Sequence, residues 1–302
     1  MEQHQNLTAR LQAAGIAYRE QEPLAAHTTF KIGGPAAVFV QPADEAQLCQ
    51  AVRLCRELAV PCYLLGNGSN ILFGDRGYAG AVISLAGMKG EVRREGNTLT
   101  APAGMPLSVL CTAALRAGLT GLEFAYGIPG TVGGAVYMNA GAYGGEMKDV
   151  LLSVRYLTAE GQIEEAPAAE LDLGYRHSVF ESNGGCILSA AVRLAPGNPE
   201  AIAARMDDLM GRRRDKQPLD KPSAGSTFKR PVGAFAGALI EQCGLRGYRH
   251  GGAAISEKHC GFVVNLGGAT CADVLALCAE VQKIVKDQTG FTLEKEIRVV
   301  EL

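Results

Sequence analysis

The chain has 302 residues and a mass of 31.7 kDa, which at roughly 100–200 residues per domain indicates about two domains. Apolar residues make up 47% and charged residues 20%, and this balance excludes a disordered or fibrous chain. The 29 basic and 31 acidic side chains give a net charge of -2, so composition offers no electrostatic basis for a nucleic-acid or membrane-surface partner.

Hydrophobic periodicity and turn residues predict a succession of short strands and helices, which favours an α+β fold over regular βαβ units. In chain order they are a helix over residues 7–14, a strand over 37–41, a helix opened by Asp44, strands over 60–65 and 81–85, a hairpin of 92–94 with 98–101, a helix from Pro106 to Ala117, strands over 154–158 and 184–194, a basic helix over 200–216, a helix over 235–243, a strand over 261–265, a helix capped by Thr270 and a strand over 292–300. The proline- and glycine-rich residues 195–199 mark the predicted domain boundary.

Neither a targeting segment nor a membrane-spanning segment is predicted. The first twenty residues lack the apolar core of a signal peptide, and no apolar run approaches the roughly 18–20 residues that span a bilayer. The nine cysteines form no CxxC pair and no Cys/His cluster with zinc spacing. We therefore expect reduced, buried thiols in a cytoplasmic protein without a metal, and a catalytic thiolate is the alternative.

Glycine is the unusual residue, with 38 of 302 positions or about 13%, where about 7% is typical. One cluster, GNGSN at residues 66–70, follows a predicted buried strand. Its backbone amides could form a nest for phosphate oxygens, and a plain turn is the equally weighted alternative. The GxGxxG spacing of a Rossmann fingerprint is missing.

A second cluster spans residues 126–145, where eight of the twenty residues are glycine or proline. Thr131 could begin a short helix whose N-terminus points at an anion. So many ordered glycines cost conformational entropy, which favours ligand binding over a structural turn. The two clusters together indicate a large phosphate-bearing cofactor that is held mostly by backbone.

Three later segments carry candidate polar chemistry. Arg176 offers a planar donor fork that suits a carboxylate, although a lone arginine is more often a surface residue. The segment 221–231 (KPSAGSTFKRP) places Ser226 on a tight turn among cations, and a loop with solvated charges is the alternative. Near the end of the chain, Glu294, Glu296 and Arg298 would share one face of a strand. The basic residues 212–216 are interpreted as a solvated helix end.

Taken in this order, these segments resemble the UDP-N-acetylenolpyruvoylglucosamine reductase family, flavoenzymes of peptidoglycan precursor synthesis. The resemblance runs from TTFKIGG at 28–34 through GNGSN, GIPGTVGGAVYMNAGAYGGE, GYRHSVF and AGSTFKRP to LEKEIR at 293–298. The short span from Arg176 to Ser226 is similar to the compact branch that lacks an inserted tyrosine-bearing loop. The resemblance implies a vanillyl-alcohol-oxidase-like (PCMH-type) FAD-binding domain over residues 1–197. A smaller α+β substrate domain follows over 198–302, and its terminal strand returns to the active site.

The activity implied by the resemblance is the NADPH-dependent reduction of UDP-N-acetylglucosamine enolpyruvate to UDP-N-acetylmuramate through non-covalent FAD, by a cytoplasmic monomer. Arg176 and Glu296 would stabilise an enolate and Ser226 would protonate C2, because hydride addition drives charge onto the substrate carboxylate. The implied substrate contacts are Lys216, Lys229 and Arg230. The implied FAD contacts are Gly66, Asn67, Gly68, Ser69, Asn70, Gly104, Tyr126, Gly127, Ile128, Pro129, Gly130, Thr131, Gly133, Gly134, Asn139 and Gly141.

Several alternatives stay open at this point. Glu294 competes with Glu296, and Arg230 and His259 stand where other family members carry neutral amides. His27 and His177 leave a covalent flavin link open by residue type. A different flavin oxidase of the same superfamily, or a non-catalytic module that binds a flavin or a nucleotide sugar, are the competing functions.

Overall fold

The structure is a computed structural model that describes residues 2–88 and 90–301, and it mixes helices with short strands. The α-helices are α1 (Glu2–Ala13), α2 (Glu45–Glu57), α3 (Leu107–Arg116), α4 (Val132–Tyr137), α5 (Pro199–Lys216), α6 (Ala236–Gln242) and α7 (Cys271–Thr289). The strands are β1 (Ala17–Pro23), β2 (Pro35–Gln41), β3 (Cys62–Leu65), β4 (Ile71–Phe73), β5 (Tyr78–Ser84), β6 (Arg93–Glu95), β7 (Thr98–Pro102), β8 (Leu119–Thr120), β9 (Gly141–Ala142), β10 (Gly145–Glu146), β11 (Leu151–Leu157), β12 (Ile163–Pro167), β13 (Cys186–Arg193), β14 (Ala195–Pro196), β15 (Ser223–Ser226), β16 (Arg249–His250), β17 (Ala253–Ile255), β18 (Phe262–Asn265) and β19 (Arg298–Val300). The predicted α+β class is confirmed.

Local capping determines where two of the predicted helices begin. Asp44 Oδ1 accepts a hydrogen bond from Gln47 N at 2.9 Å, while Gln47 Oε1 accepts from Ala43 N, one residue before the cap. At α7 the capping box is reciprocal: Thr270 Oγ1 accepts from Asp273 N and Asp273 Oδ2 accepts from Thr270 N, both at 3.0 Å. These bonds satisfy amides that have no partner in the first helical turn.

The chain forms two compact units, and the first contains residues 2–19, 38–67 and 81–213. Its main sheet has five antiparallel strands in the order β12-β11-β13-β7-β6. Residues 62–65 of β3 pair in parallel with residues 81–84 of β5 in a second sheet. The apolar core of this unit includes the fully buried Leu110 of α3, Val154 of β11 and Val192 of β13.

The second unit contains residues 20–37, 68–80 and 214–301. Its antiparallel sheet has the order β15-β18-β17-β16, and β19 pairs in parallel with β4. Helix α7 contributes an apolar face to the core, and the fully buried members of that face are Val274, Leu277, Cys278, Val281 and Val285. This is the periodic face that the sequence predicts.

The observed division of the chain differs from the predicted boundary after residue 197. The compact units divide at residues 213 and 214, and two N-terminal segments belong to the second unit. The buried side chains of Ile202 and Met206 explain the later boundary, because they join the core of the first unit and keep most of α5 with it.

Two of the strands that differ from the sequence prediction do so for a clear physical reason. Strand β1 is mostly charged and polar, so it lacks the apolar alternation by which a strand is recognised. The terminal strand, expected over 292–300, is only β19 over Arg298–Val300, where the chain pairs with β4. Within residues 2–88 and 90–301, no helix is both long and apolar enough to cross a bilayer.

Candidate active site

The turn after β3 joins the predicted GNGSN segment to the longer glycine-rich segment. Asn67 Nδ2 donates a hydrogen bond to Pro129 O at 2.6 Å. A Cβ added at Gly66 would lie only 2.6 Å from Thr131 Oγ1, so this close approach requires glycine. The first unit therefore brings Gly66 and Asn67 together with residues 129–131.

The N-terminus of α4 differs from the expectation that its amides would face an anion. Thr131 does cap the helix, since its Oγ1 accepts from Gly134 N at 3.2 Å. The next amides are also occupied, because Val132 N donates to Met105 O and Gly133 N to Ala103 O, both at 2.8 Å. The expectation of a helix N-terminus open to phosphate is therefore wrong.

These bonds bring a third segment against the first two, and we call the whole surface the glycine platform, defined as residues 66–67, 103–105 and 126–134. Gly104 and Gly133 both require the absence of a side chain here. An added Cβ would lie 2.2 Å from Leu85 O at Gly104 and 2.8 Å from Ala103 Cβ at Gly133. Gly134 is exposed, with only Thr131 Oγ1 near the position of its missing Cβ. The glycines of this surface, with Gly134 exposed, allow a large cofactor such as FAD to approach the backbone, and the half-buried Met105, Tyr126 and Ile128 add larger side chains beside them.

Helix α5 also reaches the glycine platform from within the first unit. Tyr126, Gly127 and Ile128 are half-buried there. A Cβ added at Gly127 would lie 3.0 Å from Arg213 Cδ and 3.8 Å from the end of the Met210 side chain. Arg213 is half-buried rather than solvated, so the interpretation of residues 212–216 as a solvated helix end is wrong at this position.

Arg176 is the third residue of a tight turn, residues 174–177, that also belongs to the first unit. Gly174 and His177 exchange two backbone hydrogen bonds at 3.1 and 3.2 Å, which leaves Tyr175 and Arg176 at the tip. Arg176 has φ +56°, a left-handed conformation that is costly for a residue with a side chain. Its Nη1 donates to Gly141 O at 3.4 Å, so the arginine contacts the end of the glycine-rich segment.

Asn139 holds this turn in place from inside the protein. Its side chain is 1% exposed, and Nδ2 donates both to Gly174 O at 2.9 Å and to Glu146 Oε2 at 2.7 Å. Its Oδ1 accepts from Lys148 N at 2.8 Å. The polar groups of the side chain are therefore engaged within the unit, and Asn139 acts as a structural anchor of the Arg176 turn rather than as an exposed ligand.

His177, the residue after Arg176, lies between two carboxylates. Its Nδ1 is 2.7 Å from Glu181 Oε2 and its Nε2 is 3.1 Å from Asp172 Oδ2. The hydrogen bonds to Glu181 and then to Asp172 raise the pKa of His177 above its ordinary value. Both ring nitrogens are thus directed to protein groups in this arrangement.

Ser226 ends β15 in the second unit, beside an irregularity in its pairing with β18. Gly225 has φ +77°, and the pairing register shifts between Ser223 and Ser226. The next residue, Thr227, is buried, and its Oγ1 accepts from Val263 N at 2.8 Å. These contacts fix the backbone that carries the half-buried Ser226.

Glu296 lies beside the same strand, whereas Glu294 is turned to solvent. Glu296 N donates to Thr227 O at 2.8 Å, one residue from Ser226. The Glu294 side chain is 72% exposed, with an oxygen 3.6 Å from Lys229 Nζ, while Glu296 is half-buried. The expectation that the two glutamates share a strand face is wrong, because residues 294 and 296 precede β19.

The remaining residues of GNGSN belong to the second unit. Gly68 has φ +60°, and an added Cβ would lie 2.3 Å from His27 O, so no other residue fits. Asn70 Nδ2 donates to Glu296 O at 3.2 Å, and Asn70 O accepts from Arg298 N at 2.9 Å. Ser69, which lies between Gly68 and Asn70 in the sequence, is half-buried. The second unit thereby brings the predicted residues Asn70 and Glu296 together.

Two other predicted polar residues of the second unit are exposed. Lys216 ends α5 and is exposed. Arg230 is also exposed, with Cζ 3.9 Å from the Phe235 ring centroid.

Burial lowers the pKa of His259, and the nearby positive charges of Arg246 and Lys216 lower it further. His259 Nδ1 accepts from Gly261 N at 3.0 Å, which gives this ring a structural role in the turn before β18.

The cysteines show no sign of a metal or disulfide site in the part of the chain that the structure describes. All nine are free thiols, and no group of three or more His, Cys, Asp or Glu side chains is arranged to hold a metal ion. Burial raises the pKa of most of these thiols, as at Cys111, Cys186 and Cys278, each to about 12.

Arg213 and Thr227 are the two residues of this region that the sequence prediction missed. A signal for Arg213 was present, because it follows the buried Ile202, Met206 and Leu209 at helical spacing and so falls on the same face of α5. Thr227 offered no such signal, since its contacts with Val263 and Glu296 are distant along the chain.

Comparison with known proteins agrees with this arrangement over nearly the whole chain. A family model described as an FAD binding domain matches residues 36–166, and one described as the UDP-N-acetylenolpyruvoylglucosamine reductase C-terminal domain matches residues 217–300. A protein of Lachnoclostridium phytofermentans named UDP-N-acetylenolpyruvoylglucosamine reductase is 49% identical over 283 residues, covering 92% of this chain and 91% of the relative. One of the same name from Agathobacter rectalis is 46% identical over 307 residues, covering 98% and 97%.

A solved structure supports the same conclusion for the fold. The crystal structure of UDP-N-acetylenolpyruvylglucosamine reductase from Thermus caldophilus superposes with a TM-score of 0.80 at 36% identity, covering 95% of this chain and 99% of that one. The predicted PCMH-type FAD-binding domain followed by a C-terminal domain is confirmed. The chain therefore belongs to the UDP-N-acetylenolpyruvoylglucosamine reductase family and is an FAD-dependent oxidoreductase.

Proposed function

We propose that this protein reduces UDP-N-acetylglucosamine enolpyruvate to UDP-N-acetylmuramate, with NADPH as the hydride donor and non-covalent FAD as the carrier. The observation that carries the proposal is the family similarity across both units, at up to 49% identity over 92% of the chain. The proposal places the enzyme in the cytoplasm as a monomer that acts on a small nucleotide sugar.

The glycine platform supports the cofactor half of this proposal. Its residues would hold FAD, with Gly66 and Asn67 next to residues 129–131 as one continuous contact surface. Bound FAD would supply the hydride that it receives from NADPH. The buried Gly104 and Gly133 pack closely on Leu85 O and Ala103 Cβ, which holds the backbone segments of the platform together.

Arg176 would bind the carboxylate of the substrate and stabilise the negative charge that develops on it. A guanidinium is a fixed cation with a planar fork that matches a carboxylate. Asn139 and the paired backbone of Gly174 and His177 position this side chain before substrate binds. Preorganised charge of this kind costs no rearrangement during the reaction.

Ser226 and Glu296, which belong to the second unit, would be the other two catalytic residues. Ser226 would donate the proton to C2, and Glu296 would stabilise the intermediate beside it. The half-buried position of Glu296 next to Thr227 favours it over the exposed Glu294, which lies next to Lys229. Lys216, Lys229 and Arg230 would supply positive charge to the diphosphate of the substrate.

The test is a Ser226→Ala variant examined in two separate half-reactions. Bleaching of the flavin absorbance by NADPH under anaerobic conditions should stay within about twofold of the wild-type rate, because Ser226 plays no part in that step. Oxidation of the reduced flavin by the enolpyruvyl sugar should slow by about 10²–10⁴-fold, the usual effect of losing a general acid.

Ser223→Ala is the matched control, since Ser223 lies on the same strand and contributes its backbone carbonyl to Thr29 Oγ1 at 2.7 Å. It should leave both half-reactions near the wild-type rates. Unchanged substrate reduction in Ser226→Ala would contradict the proton-donor role. A wild-type protein that binds no FAD, or whose flavin does not respond to NADPH, would contradict the proposed function itself.

A further inference from the structure

Two cysteines of the first unit meet where α2 ends and β3 begins. Cys55 is fully buried in the last turn of α2, and Cys62 is the first residue of β3, an edge strand of its sheet. The chain between them reverses tightly, because Val60 N donates to Cys55 O at 2.8 Å and Ala59 has φ +51°. The two side chains share a hydrogen bond, so the reversal brings the two thiols into contact.

The two thiols of this pair differ in exposure. Among the nine cysteines, which all lie within residues 2–88 and 90–301, Cys62 and Cys243 are partly exposed and the others are buried. Cys62 is therefore the member of the pair that a small solute can reach from solvent, while Cys55 is shielded. Access from one side and a second thiol in contact are the two conditions for forming a disulfide in two steps.

The surroundings favour the thiolate form of Cys62. The hydrogen bond with Cys55 lowers the pKa of Cys62 below its ordinary value, burial opposes this effect, and the positive charge of Arg56 lowers the pKa further. Arg56 is held in place, since Nη1 donates to Thr158 O at 2.6 Å and Nη2 to Gly184 O at 3.1 Å. The same hydrogen bond and burial raise the pKa of Cys55, so Cys55 retains its proton.

We propose that Cys62 is a site of oxidation by hydrogen peroxide and that Cys55 converts the oxidised product into a disulfide. A partly exposed thiolate beside a second thiol is the arrangement in which such oxidation is selective. The proposal does not rest on the proposed function. Cys62 begins β3, and the platform residue Gly66 follows the far end of that strand, about 13 Å away at 3.3 Å per residue.

The reaction has two balanced steps. First, the Cys62 thiolate attacks a peroxide oxygen: an S–O bond forms, the O–O bond breaks, and the departing hydroxide takes up a proton, which leaves a sulfenic acid and water. Second, Cys55 loses its proton and its sulfur attacks the Cys62 sulfur, so an S–S bond forms, the S–O bond breaks and a second water leaves. Two thiols are oxidised to one disulfide, and one peroxide is reduced to two waters.

The raised pKa of Cys55 does not block the second step. Its largest cause is the hydrogen bond with Cys62. A sulfenic acid carries no negative charge at neutral pH, so the interaction that retains the proton on Cys55 most strongly is lost once Cys62 is oxidised.

The experiment treats the reduced full-length protein, as purified, with about two equivalents of hydrogen peroxide and maps its thiols by mass spectrometry after blocking with iodoacetamide. Trypsin cleaves after Arg53, Arg56 and Arg76, so a disulfide between Cys55 and Cys62 joins peptides 54–56 and 57–76. We expect this cross-link in most of the protein, and dithiothreitol should remove it. Iodoacetamide should also alkylate Cys62 in the untreated protein at pH 7 about fivefold faster than Cys243.

Variants of Cys55 separate its two roles. Cys55→Ser keeps a donor to Cys62 but removes the second sulfur, so peroxide should leave a Cys62 sulfenic acid that dimedone traps. Cys55→Ala removes the donor as well and should slow alkylation of Cys62 by about twofold or more. Cys243→Ser is the matched control, because it removes the other partly exposed thiol, and it should form the cross-link at the wild-type rate.

The map of the wild-type protein decides the proposal even where a variant does not fold. A Cys62 that peroxide leaves reduced, or that reacts with peroxide no faster than Cys243, would overturn the oxidation site. A cross-link from Cys62 to Cys186, or oxidation of Cys62 to a sulfinic acid without a cross-link, would overturn the role of Cys55.

Discussion

Replacing Asn139 with alanine removes the anchor of the turn that carries Arg176. The substitution deletes hydrogen bonds to Gly174 O, Glu146 Oε2 and Lys148 N, at 2.9, 2.7 and 2.8 Å. It also places alanine at φ +39°, a left-handed conformation that asparagine tolerates better.

The magnitude follows from these four losses. A neutral hydrogen bond contributes about 0.5–1.5 kcal/mol, one to a carboxylate about 1.5–3 kcal/mol, and the left-handed backbone costs about 1–2 kcal/mol. Contributions of neighbouring groups are not additive, so we take the lower ends of these ranges together. The free energy of unfolding should fall by about 3–4 kcal/mol, which is a large effect for one substitution.

The assay combines urea unfolding with hydrogen exchange. Because Gly174 O also accepts from His177 N, loss of the Asn139 contact should loosen the turn and speed exchange of the His177 amide. Turnover should fall as well, since Arg176 is no longer held. We expect exchange at 174–178 to respond more strongly than exchange elsewhere in the sheet of the first unit.

Asn265→Ala is the matched control for this experiment. Asn265 is 6% exposed, and like Asn139 it bonds three backbone or side-chain groups, here Phe30 O, Gly267 N and Ala269 N. It should lose about 1.5 kcal/mol, the lower-end sum for three neutral hydrogen bonds, without faster exchange at residues 174–178. A loss below about 1 kcal/mol in Asn139→Ala, or unchanged exchange at the turn, would refute the reasoning.

Three further predictions test other parts of the structure. Gly66→Ala should weaken FAD retention, because the new Cβ would lie 2.6 Å from Thr131 Oγ1. Gly211→Ala, where the added Cβ meets open space on α5, should keep FAD and raise the free energy of unfolding in urea by about 0.5–1 kcal/mol. Equal FAD retention in the two variants would contradict the packing argument. The pKa of His177 is raised by Glu181 and Asp172, so its stabilising effect is present below the unfolded pKa of about 6.5 and is lost as pH rises through the folded pKa. His177→Gln should therefore have a lower melting temperature than the wild type at pH 5.5 and the same melting temperature at pH 9. A difference in melting temperature that does not depend on pH would exclude a stabilising role for the His177 charge. Thr270→Ala should lower the free energy of unfolding by about 1 kcal/mol by removing the cap of α7, and an unchanged free energy in urea unfolding would contradict this.

Short-range interactions explain which features the sequence predicts well. Asp44 and Thr270 begin their helices through bonds to residues three positions away, and residues 96–97 close a hairpin between β6 and β7. The order of the glycine-rich and polar motifs also identifies the family, because each motif is contiguous. These features require no information from distant parts of the chain.

The features that depend on the tertiary structure involve groups far apart along the chain. The amides of α4 are occupied by carbonyls of residues 103 and 105, so the expected anion site at its N-terminus does not exist. Glu296 is distinguished from Glu294 by its lower exposure, which depends on packing beside residues 227–229, almost seventy residues earlier. Each choice depends on which segments pack together, and local propensity carries no record of that packing.

Arg213 shows both contributions in one residue. Its spacing from Ile202, Met206 and Leu209 places it on the apolar face of α5, and this much is contained in the sequence. Only the tertiary fold determines that this face packs on Gly127. On an isolated helix the charge of Arg213 would be solvated, whereas in the folded protein burial disfavours it and lowers the pKa of Arg213.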